Sequence, residues 1–134
     1  MRDGMIGGLV AILLLGLASI VQAATATVDV DQAKGLIESR DGKPELVVLD
    51  VRTRQEFAEG HLPGAVNLDV QAPDFERQLT ALDRGKTYLV YCRTGARSSR
   101  AVRAMEQLGF QSIQHMSQGI VRWQERHFPI ATGS

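Results

Sequence analysis

Short apolar runs alternate with helical patterns along most of the chain. The runs predict five strands, at residues 28–30, 45–51, 65–68, 86–91 and 110–115. The run ELVVLDV contains four successive apolar residues, which is typical of a strand covered on both faces. The run KTYLVY has the same character. Both therefore predict buried strands.

Apolar residues at helical spacing fill the intervals between these runs. Asp31 is the predicted cap of the first helix. A short helix is predicted after Thr53, because Glu56 completes a capping box, and its predicted end is Gly60. The longer helices are predicted at residues 31–40, 72–82, 98–108 and 119–126, and turns at residues 41–44 and 62–64.

Strands that alternate with helices predict a parallel sheet with helices on both faces, so the expected fold class is α/β. In such sheets, ligands bind beyond the carboxyl ends of the strands. Asp50 and Arg52 lie at the end of ELVVLDV, and Cys92 directly follows KTYLVY. Two strand ends therefore indicate one candidate site.

The first 23 residues have the pattern of a secretory signal peptide. An apolar run over residues 5–17 precedes Val21-Gln22-Ala23, a small-residue cleavage site. We expect residues 24–134 to form the mature domain, in the periplasm or secreted. The alternative is a membrane anchor at residues 5–21, whose 17 uncharged residues are near the lower limit for a spanning helix.

The charge balance excludes binding that depends on a strongly basic domain. The chain has 15 basic and 15 acidic residues, and removing Arg2 and Asp3 leaves 14 of each. We therefore expect no nucleic-acid partner, and no membrane contact unless the N-terminal segment stays uncleaved.

Cys92 is the only cysteine, so the chain cannot form an internal disulfide. It lies in the segment YCRTGARSSRA, and four arginines follow it: Arg93, Arg97, Arg100 and Arg103. One interpretation is a small core residue beside a solvated basic helix, because free cysteines are often buried. The other is a site that holds a sulfur anion.

The local pattern favours the anion site. A strand, a tight loop and a helix N-terminus present unpaired N–H groups and a positive dipole end. Gly95 allows the loop to turn inward, and Thr94, Ser98 and Ser99 add hydroxyl groups. Such surroundings lower the pKa of a thiol and favour the nucleophilic thiolate. On the predicted helix, Arg100 and Arg103 face outward, which leaves Arg93 and Arg97 for the site.

These segments resemble the rhodanese (sulfurtransferase) family, and in particular its small, exported, phage-shock-type members. The resemblance is carried by DVRTRQEFAEGHLPGAVNL at residues 50–68, YCRTGARSSRA at 91–101 and GIVRWQERHFPI at 119–130. It implies a rhodanese-like α/β fold with a parallel sheet of about five strands. It also implies a thiosulfate sulfurtransferase without cofactor or metal.

The resemblance implies a persulfide mechanism. Cys92 would take the outer sulfur of thiosulfate, release sulfite, and pass the sulfur to cyanide or a thiol. Arg97 would hold the sulfonate end of thiosulfate with support from Arg93. The persulfide would be held by backbone N–H groups of the segment Arg93, Thr94, Gly95, Ala96, Arg97 and Ser98.

Asp50, Arg52 and Glu56 are expected to support the structure of the site. We expect Asp50 to accept hydrogen bonds from nearby backbone, and Arg52 and Glu56 are spaced to pair with each other. His61 is interpreted as a packing and turn position, and Trp123 as core. Two positions depart from the family pattern, which often has glycine where this chain has Gln118 and His127.

Two other functions stay open from the residues. A non-enzymatic sulfur carrier or redox-responsive module would use the same thiolate, although no second cysteine could resolve its oxidised form. A cysteine phosphatase or arsenate reductase is a weaker alternative. Those enzymes have five residues between cysteine and arginine, whereas Cys92 and Arg97 are separated by four.

Overall fold

The computed structural model describes Gly4 and residues 11–16, 24–40 and 45–134. In this part of the chain, strands and helices alternate throughout. The order is β1 (Ala24–Val28), α1 (Val30–Ser39), β2 (Leu46–Asp50), α2 (Arg54–Glu59), β3 (Val66–Asn67), α3 (Phe75–Thr80), β4 (Thr87–Tyr91), α4 (Ala96–Gln107), β5 (Ser112–Met116) and α5 (Gly119–Glu125).

The five strands form one parallel sheet in the order β1-β5-β4-β2-β3. Strand β4 lies at its centre, where Val90 is opposite both Leu49 of β2 and His115 of β5. The predicted α/β class and parallel pairing are confirmed.

Side chains of β4 alternate between two apolar clusters. Tyr88 and Val90, together with Cys92 directly after the strand, face the cluster that α3 and α4 cover. Leu89 and Tyr91 face the cluster that α1 and α5 cover. Each fully buried large side chain contributes about 1.5–3 kcal/mol to folding, so the two clusters hold the helices firmly on the sheet.

The prediction was wrong at the start of the domain. The first strand ends at Val28, and Val30 already belongs to α1. Asp29, not Asp31, is the helix cap, because Asp29 and Gln32 form a reciprocal capping box. Residues 24–27 are exposed alanines and threonines, so this edge strand lacks the apolar run by which the others were found.

Other boundaries differ by a few residues. Helix α3 is limited to Phe75–Thr80, and α4 begins at Ala96, two residues before its predicted start. The Thr53–Glu56 capping box and the helix end at Gly60 are confirmed, and Ala65 N–H donates to the Leu62 carbonyl in the predicted turn. The predicted turn at residues 41–44 lies outside the described residues.

The predicted signal peptide lies mostly outside the described residues, and so does its cleavage site at residues 21–23. Within the part of the chain that is described, no helix has the length and apolar character needed to cross a bilayer.

Candidate active site

Three parallel strands end at one edge of the sheet and carry polar residues there. Asp50 is the last residue of β2, Cys92 directly follows β4, and His115 is the penultimate residue of β5. Ligands of such sheets bind beyond this edge. The structure thus brings Asp50 and Cys92 to the same edge.

The sulfur of Cys92 is held by the turn of residues 92–95, which we call the cysteine loop. The backbone N–H of Gly95 donates to Sγ at 3.0 Å, and Ser98 Oγ lies 3.2 Å from Sγ. Helix α4 begins directly after the loop, at Ala96. Its first-turn N–H groups and positive dipole end are therefore next to the sulfur.

These donors lower the pKa of the Cys92 thiol. Burial alone raises that pKa because it penalises the thiolate. Hydrogen bonds from the Ser98 side chain and from the backbone N–H groups of Ser98, Gly95 and Thr94 outweigh the effect of burial. The site therefore favours the thiolate, which is the nucleophilic form of cysteine.

Cys92 is more deeply buried than its position after a strand suggested. Only 1% of its surface is exposed, and it packs into the apolar cluster beneath α4. Arg93 and Thr94 are exposed and form the outer surface of the loop. Cys92 therefore has a packing role, and its sulfur also has specific donors that a purely packing cysteine does not need.

The cysteine loop is bonded to the start of α5. The Ile120 N–H donates to the Cys92 carbonyl at 3.0 Å, and the Val121 N–H donates to the Arg93 carbonyl at 3.2 Å. First-turn N–H groups of a helix lack partners within the helix, so the loop carbonyls satisfy them. The loop is thereby fixed in shape by a distant segment of the chain.

Two glycines allow this close approach. Gly119 has φ +72, and a Cβ there would lie 2.1 Å from the Arg93 carbonyl oxygen. Gly95 has φ +108, and a Cβ there would lie 2.3 Å from the Ser117 carbonyl oxygen. Only glycine combines these left-handed conformations with such contacts.

Arg97 pairs with Glu56 of α2, not with a residue of its own helix. The contacts are 2.7 Å from Nη1 to Oε1 and 2.9 Å from Nη2 to Oε2, a two-point pair. The expected pairing of Arg52 with Glu56 was wrong. Arg52 instead binds Asp50, with Nη2 2.7 Å from Oδ2, and both side chains are buried at the end of β2.

Asp50 joins several elements at the sheet edge. It accepts hydrogen bonds from the Arg52 backbone N–H at 2.9 Å, as expected, and from the Tyr91 hydroxyl at 2.7 Å. That hydroxyl accepts a bond from the Leu62 N–H, and the Arg52 Nη2 also donates to the Gly60 carbonyl at 2.6 Å. Asp50 therefore ties β2, β4 and the segment after α2 together.

Two shallow surface cavities border the cysteine loop or helix α4, and Cys92 lines neither. One of about 220 Å³ lies beside the cysteine loop and is lined in part by Arg52, Glu56 and Arg93. Another of about 410 Å³ lies between α3 and α4, where Arg100 and Arg103 are exposed. Among the described residues, no group of three acidic, histidine or cysteine side chains is arranged to hold a metal ion.

His115 was not predicted as a site residue. Its Nε2 lies 2.7 Å from Ser98 Oγ, the same hydroxyl that contacts the sulfur. Its only signal in the sequence was a position near the end of a predicted strand. The pairing with Ser98 depends on how α4 packs over β5, which no local pattern reveals.

Comparison with known proteins assigns the family. The model of the rhodanese-like domain matches residues 29–126. The chain belongs to the rhodanese-like family. Thiosulfate sulfurtransferase 18 of Arabidopsis thaliana is 33% identical over 118 residues, which cover 79% of this chain and 83% of that protein. A sulfurtransferase of Allochromatium vinosum is 28% identical over 86 residues, 64% of this chain and 78% of that protein. These relatives support a role in sulfur transfer for this rhodanese-like domain.

Solved structures agree with the fold. A rhodanese-related protein of Thermoplasma volcanium superposes with a TM-score of 0.64 at 25% identity, over 82% of this chain and 97% of that one. The Alr3790 protein of Anabaena superposes with a TM-score of 0.69 at 24% identity, over 78% of this chain and 81% of that one. The expected rhodanese-like fold is confirmed.

The two departures from the rhodanese pattern have structural explanations. The Gln118 side-chain oxygen accepts a hydrogen bond from the Val30 N–H at 3.2 Å, at the start of α1. His127 has φ 53 and is the only non-glycine residue with positive φ in the described part of the chain. It thus retains the left-handed conformation that glycine adopts more easily.

Proposed function

We propose that this rhodanese-like domain moves sulfane sulfur from thiosulfate to a thiol acceptor, or to cyanide, through a persulfide on Cys92. The observation that carries the proposal is the pair of contacts to Sγ, from Gly95 N–H at 3.0 Å and Ser98 Oγ at 3.2 Å. They stabilise a sulfur anion at the N-terminus of α4.

The reaction has two displacement steps. The Cys92 thiolate attacks the outer sulfur of thiosulfate, the sulfur–sulfur bond of thiosulfate breaks, and sulfite leaves with the electron pair. The Cys92 persulfide then loses its outer sulfur to the attacking thiolate or cyanide, and the Cys92 thiolate is restored. Electrons balance within the two steps, so no further oxidant or reductant takes part.

The residues around the sulfur have separate roles in this proposal. Backbone N–H groups of residues 93–98 hold the persulfide anion, and such preorganised donors supply much of the rate in many enzymes. Arg97 holds the sulfonate end of the donor, with Arg93 at the loop surface in support. Glu56 occupies two of the five N–H donors of Arg97, which leaves three for a substrate.

The proposal includes export. Residues 1–23 direct the chain to the periplasm or outside the cell and are then removed, and Cys92 acts in the released domain. The mass of the protein recovered from cells tests this step. A chain that retains residues 1–23 would contradict cleavage and favour the membrane-anchored alternative.

Intact-mass measurement after thiosulfate treatment tests the persulfide. We expect a gain of one sulfur atom, lost on addition of a thiol, and no gain in Cys92→Ser with an unchanged fold. Arg97→Ala should weaken thiosulfate use more than the matched control Arg103→Ala, which removes the same charge from the exposed face of α4. Hydrolysis of phenyl phosphate without formation of thiocyanate would refute the proposal.

A further inference from the structure

His115 contacts the site through one atom of another side chain. The residue is 8% exposed, and its Nε2 lies 2.7 Å from Ser98 Oγ. Among the contacts of Ser98 Oγ this is the shortest, compared with 3.1 Å to the Gly95 carbonyl oxygen and 3.2 Å to Cys92 Sγ. The serine hydroxyl therefore has three partners.

A serine hydroxyl has one hydrogen, so it can donate to only one of them. The Gly95 carbonyl can only accept. If Nε2 of His115 carried no hydrogen, it would compete for the Ser98 hydrogen at the shortest distance, and the sulfur would lose a donor. If Nε2 carries the hydrogen, the ring donates to Ser98 Oγ, and the Ser98 hydrogen remains available for Sγ.

The charge on the sulfur favours the second arrangement. A thiolate or a persulfide anion accepts hydrogen bonds, and a bond to a charged acceptor is about twice as strong as a neutral one. The Ser98 hydrogen is then directed to the anion and not to the Gly95 carbonyl. The imidazole N–H satisfies a lone pair of the same oxygen.

We propose that His115 is a positioning residue, whose Nε2–H turns the Ser98 hydroxyl towards the anionic sulfur of Cys92. The part of this inference that concerns the persulfide rests on the proposed function, whereas the part that concerns the thiolate does not. The group that accepts the Ser98 hydrogen bond is the sulfur anion of Cys92.

The surroundings of His115 favour a neutral ring, so His115 acts through its N–H and not through a positive charge. Its register neighbours, Thr27 of β1 and Val90 of β4, carry no charge. The charged group of α4 that acts on the Cys92 sulfur is Arg97, which is paired with Glu56 of α2. Burial lowers the pKa of His115, so the ring is neutral at neutral pH.

Titration of the Cys92 thiol, followed by the ultraviolet absorbance of the thiolate, tests the inference without any sulfur donor. We expect His115→Phe to raise the Cys92 pKa by about one unit, which is about tenfold less thiolate at pH values below the pKa. His115→Gln should keep the pKa near the wild-type value, because its amide N–H can replace Nε2–H. If the phenylalanine variant does not fold, His115→Asn takes its place, since its shorter side chain withdraws from Ser98.

The same His115 substitution in a Ser98→Ala background distinguishes a positioning role of His115 from a packing role. In Ser98→Ala, the change from His115 to phenylalanine should shift the Cys92 pKa no further, because the serine that transmits the effect is gone. Ile113→Val is the matched control, a buried change two residues earlier in β5, and should leave the pKa unchanged. An equal shift in the glutamine and phenylalanine variants, or a shift that persists without Ser98, would overturn the inference.

Sulfur loading distinguishes the two proposals. If His115→Phe raises the thiol pKa while the wild-type protein gains no sulfur from thiosulfate, the role of His115 stands and the proposed function fails. If the wild-type protein is loaded and His115→Phe titrates as wild type, the proposed function stands and the role of His115 fails.

Discussion

Replacing Glu56 by glutamine should change stability and substrate use in opposite directions. Glu56 holds the Arg97 guanidinium by two hydrogen bonds at 2.7 and 2.9 Å, and it also completes the cap of α2 with Thr53. Glutamine is the informative replacement because it can keep the capping box and removes the charge. The effect then reports on the pair with Arg97.

The size of the effect follows from the pKa of Glu56. Hydrogen bonds from Arg97, followed by those from Thr53, lower that pKa from 4.5 to about 2 despite partial burial. A lowering of this size corresponds to about 3.5 kcal/mol, at roughly 1.4 kcal/mol per pKa unit. Because the pair is partly exposed to solvent, screening reduces the contribution, and we expect Glu56→Gln to destabilise the domain by about 1–2 kcal/mol.

Urea unfolding at two pH values is the assay. The folded-state pKa is depressed, so the stabilisation is present above the unfolded-state pKa and is lost as pH falls towards about 2. The difference between wild type and Glu56→Gln should therefore fall by more than half between about pH 7 and about pH 3. Glu59→Gln, an equal charge change on the same helix, is the control and should change stability by less than about 0.5 kcal/mol.

Under the proposed function, the same variant should improve the use of thiosulfate. Removing the carboxylate frees Arg97 and takes a negative charge away from the anionic donor, so we expect the KM for thiosulfate to fall about fivefold, equivalent to about 1 kcal/mol. A KM that rises, or a stability difference that does not change with pH, would refute the reasoning about this pair.

The remaining predictions concern the scaffold, and each is measured by urea or thermal unfolding. Gly119→Ala should cost more than about 2 kcal/mol and distort the cysteine loop, because its Cβ would overlap the Arg93 carbonyl; a wild-type midpoint would show that the segments can separate cheaply. Asp50→Ala should cost about 3–5 kcal/mol by leaving the buried Arg52 unpaired, and a smaller loss than in Glu56→Gln would contradict this account. His127→Gly should stabilise the domain by about 0.5 kcal/mol through relief of its left-handed backbone, and a lower melting temperature would count against it.

Several parts of the fold could be predicted because their signals are local. The runs at β2 and β4 are apolar and continuous, and the Thr53–Glu56 capping box is complete within four residues. Strand β1 was placed too late because its exposed ATAT segment lies at the sheet edge and needs no apolar run.

The start of α4 was misplaced for a different reason. Serines commonly cap helices, but the predicted start at residue 98 was two residues late. In the structure Gly95 is the cap position and has no capping side chain, while the Ser98 hydroxyl is used at the sulfur. Serine is favoured at helix caps, but Ser98 instead makes tertiary contacts with Cys92 and His115.

Long-range pairs in the site were the least predictable. Arg97 and Glu56 are 41 positions apart, and Ser98 and His115 are 17 apart. Which carboxylate a guanidinium meets depends on the packing of α2 against α4, so the nearer spacing of Arg52 and Glu56 was misleading. The position of Cys92 after β4 could be predicted because one strand and one helix define it.

The attachment of the cysteine loop to α5 has a consequence for redesign. Gly95 and Gly119 each approach the backbone of the other segment so closely that neither can carry a side chain. An extra residue inserted between Cys92 and Arg97, to give the spacing of a phosphate site, would move the loop carbonyls away from the N–H groups of Ile120 and Val121. Exchange of the loop alone would therefore leave the last helix without its N-terminal partners. A change of chemistry in this scaffold requires two segments, far apart in the chain, to be replaced together.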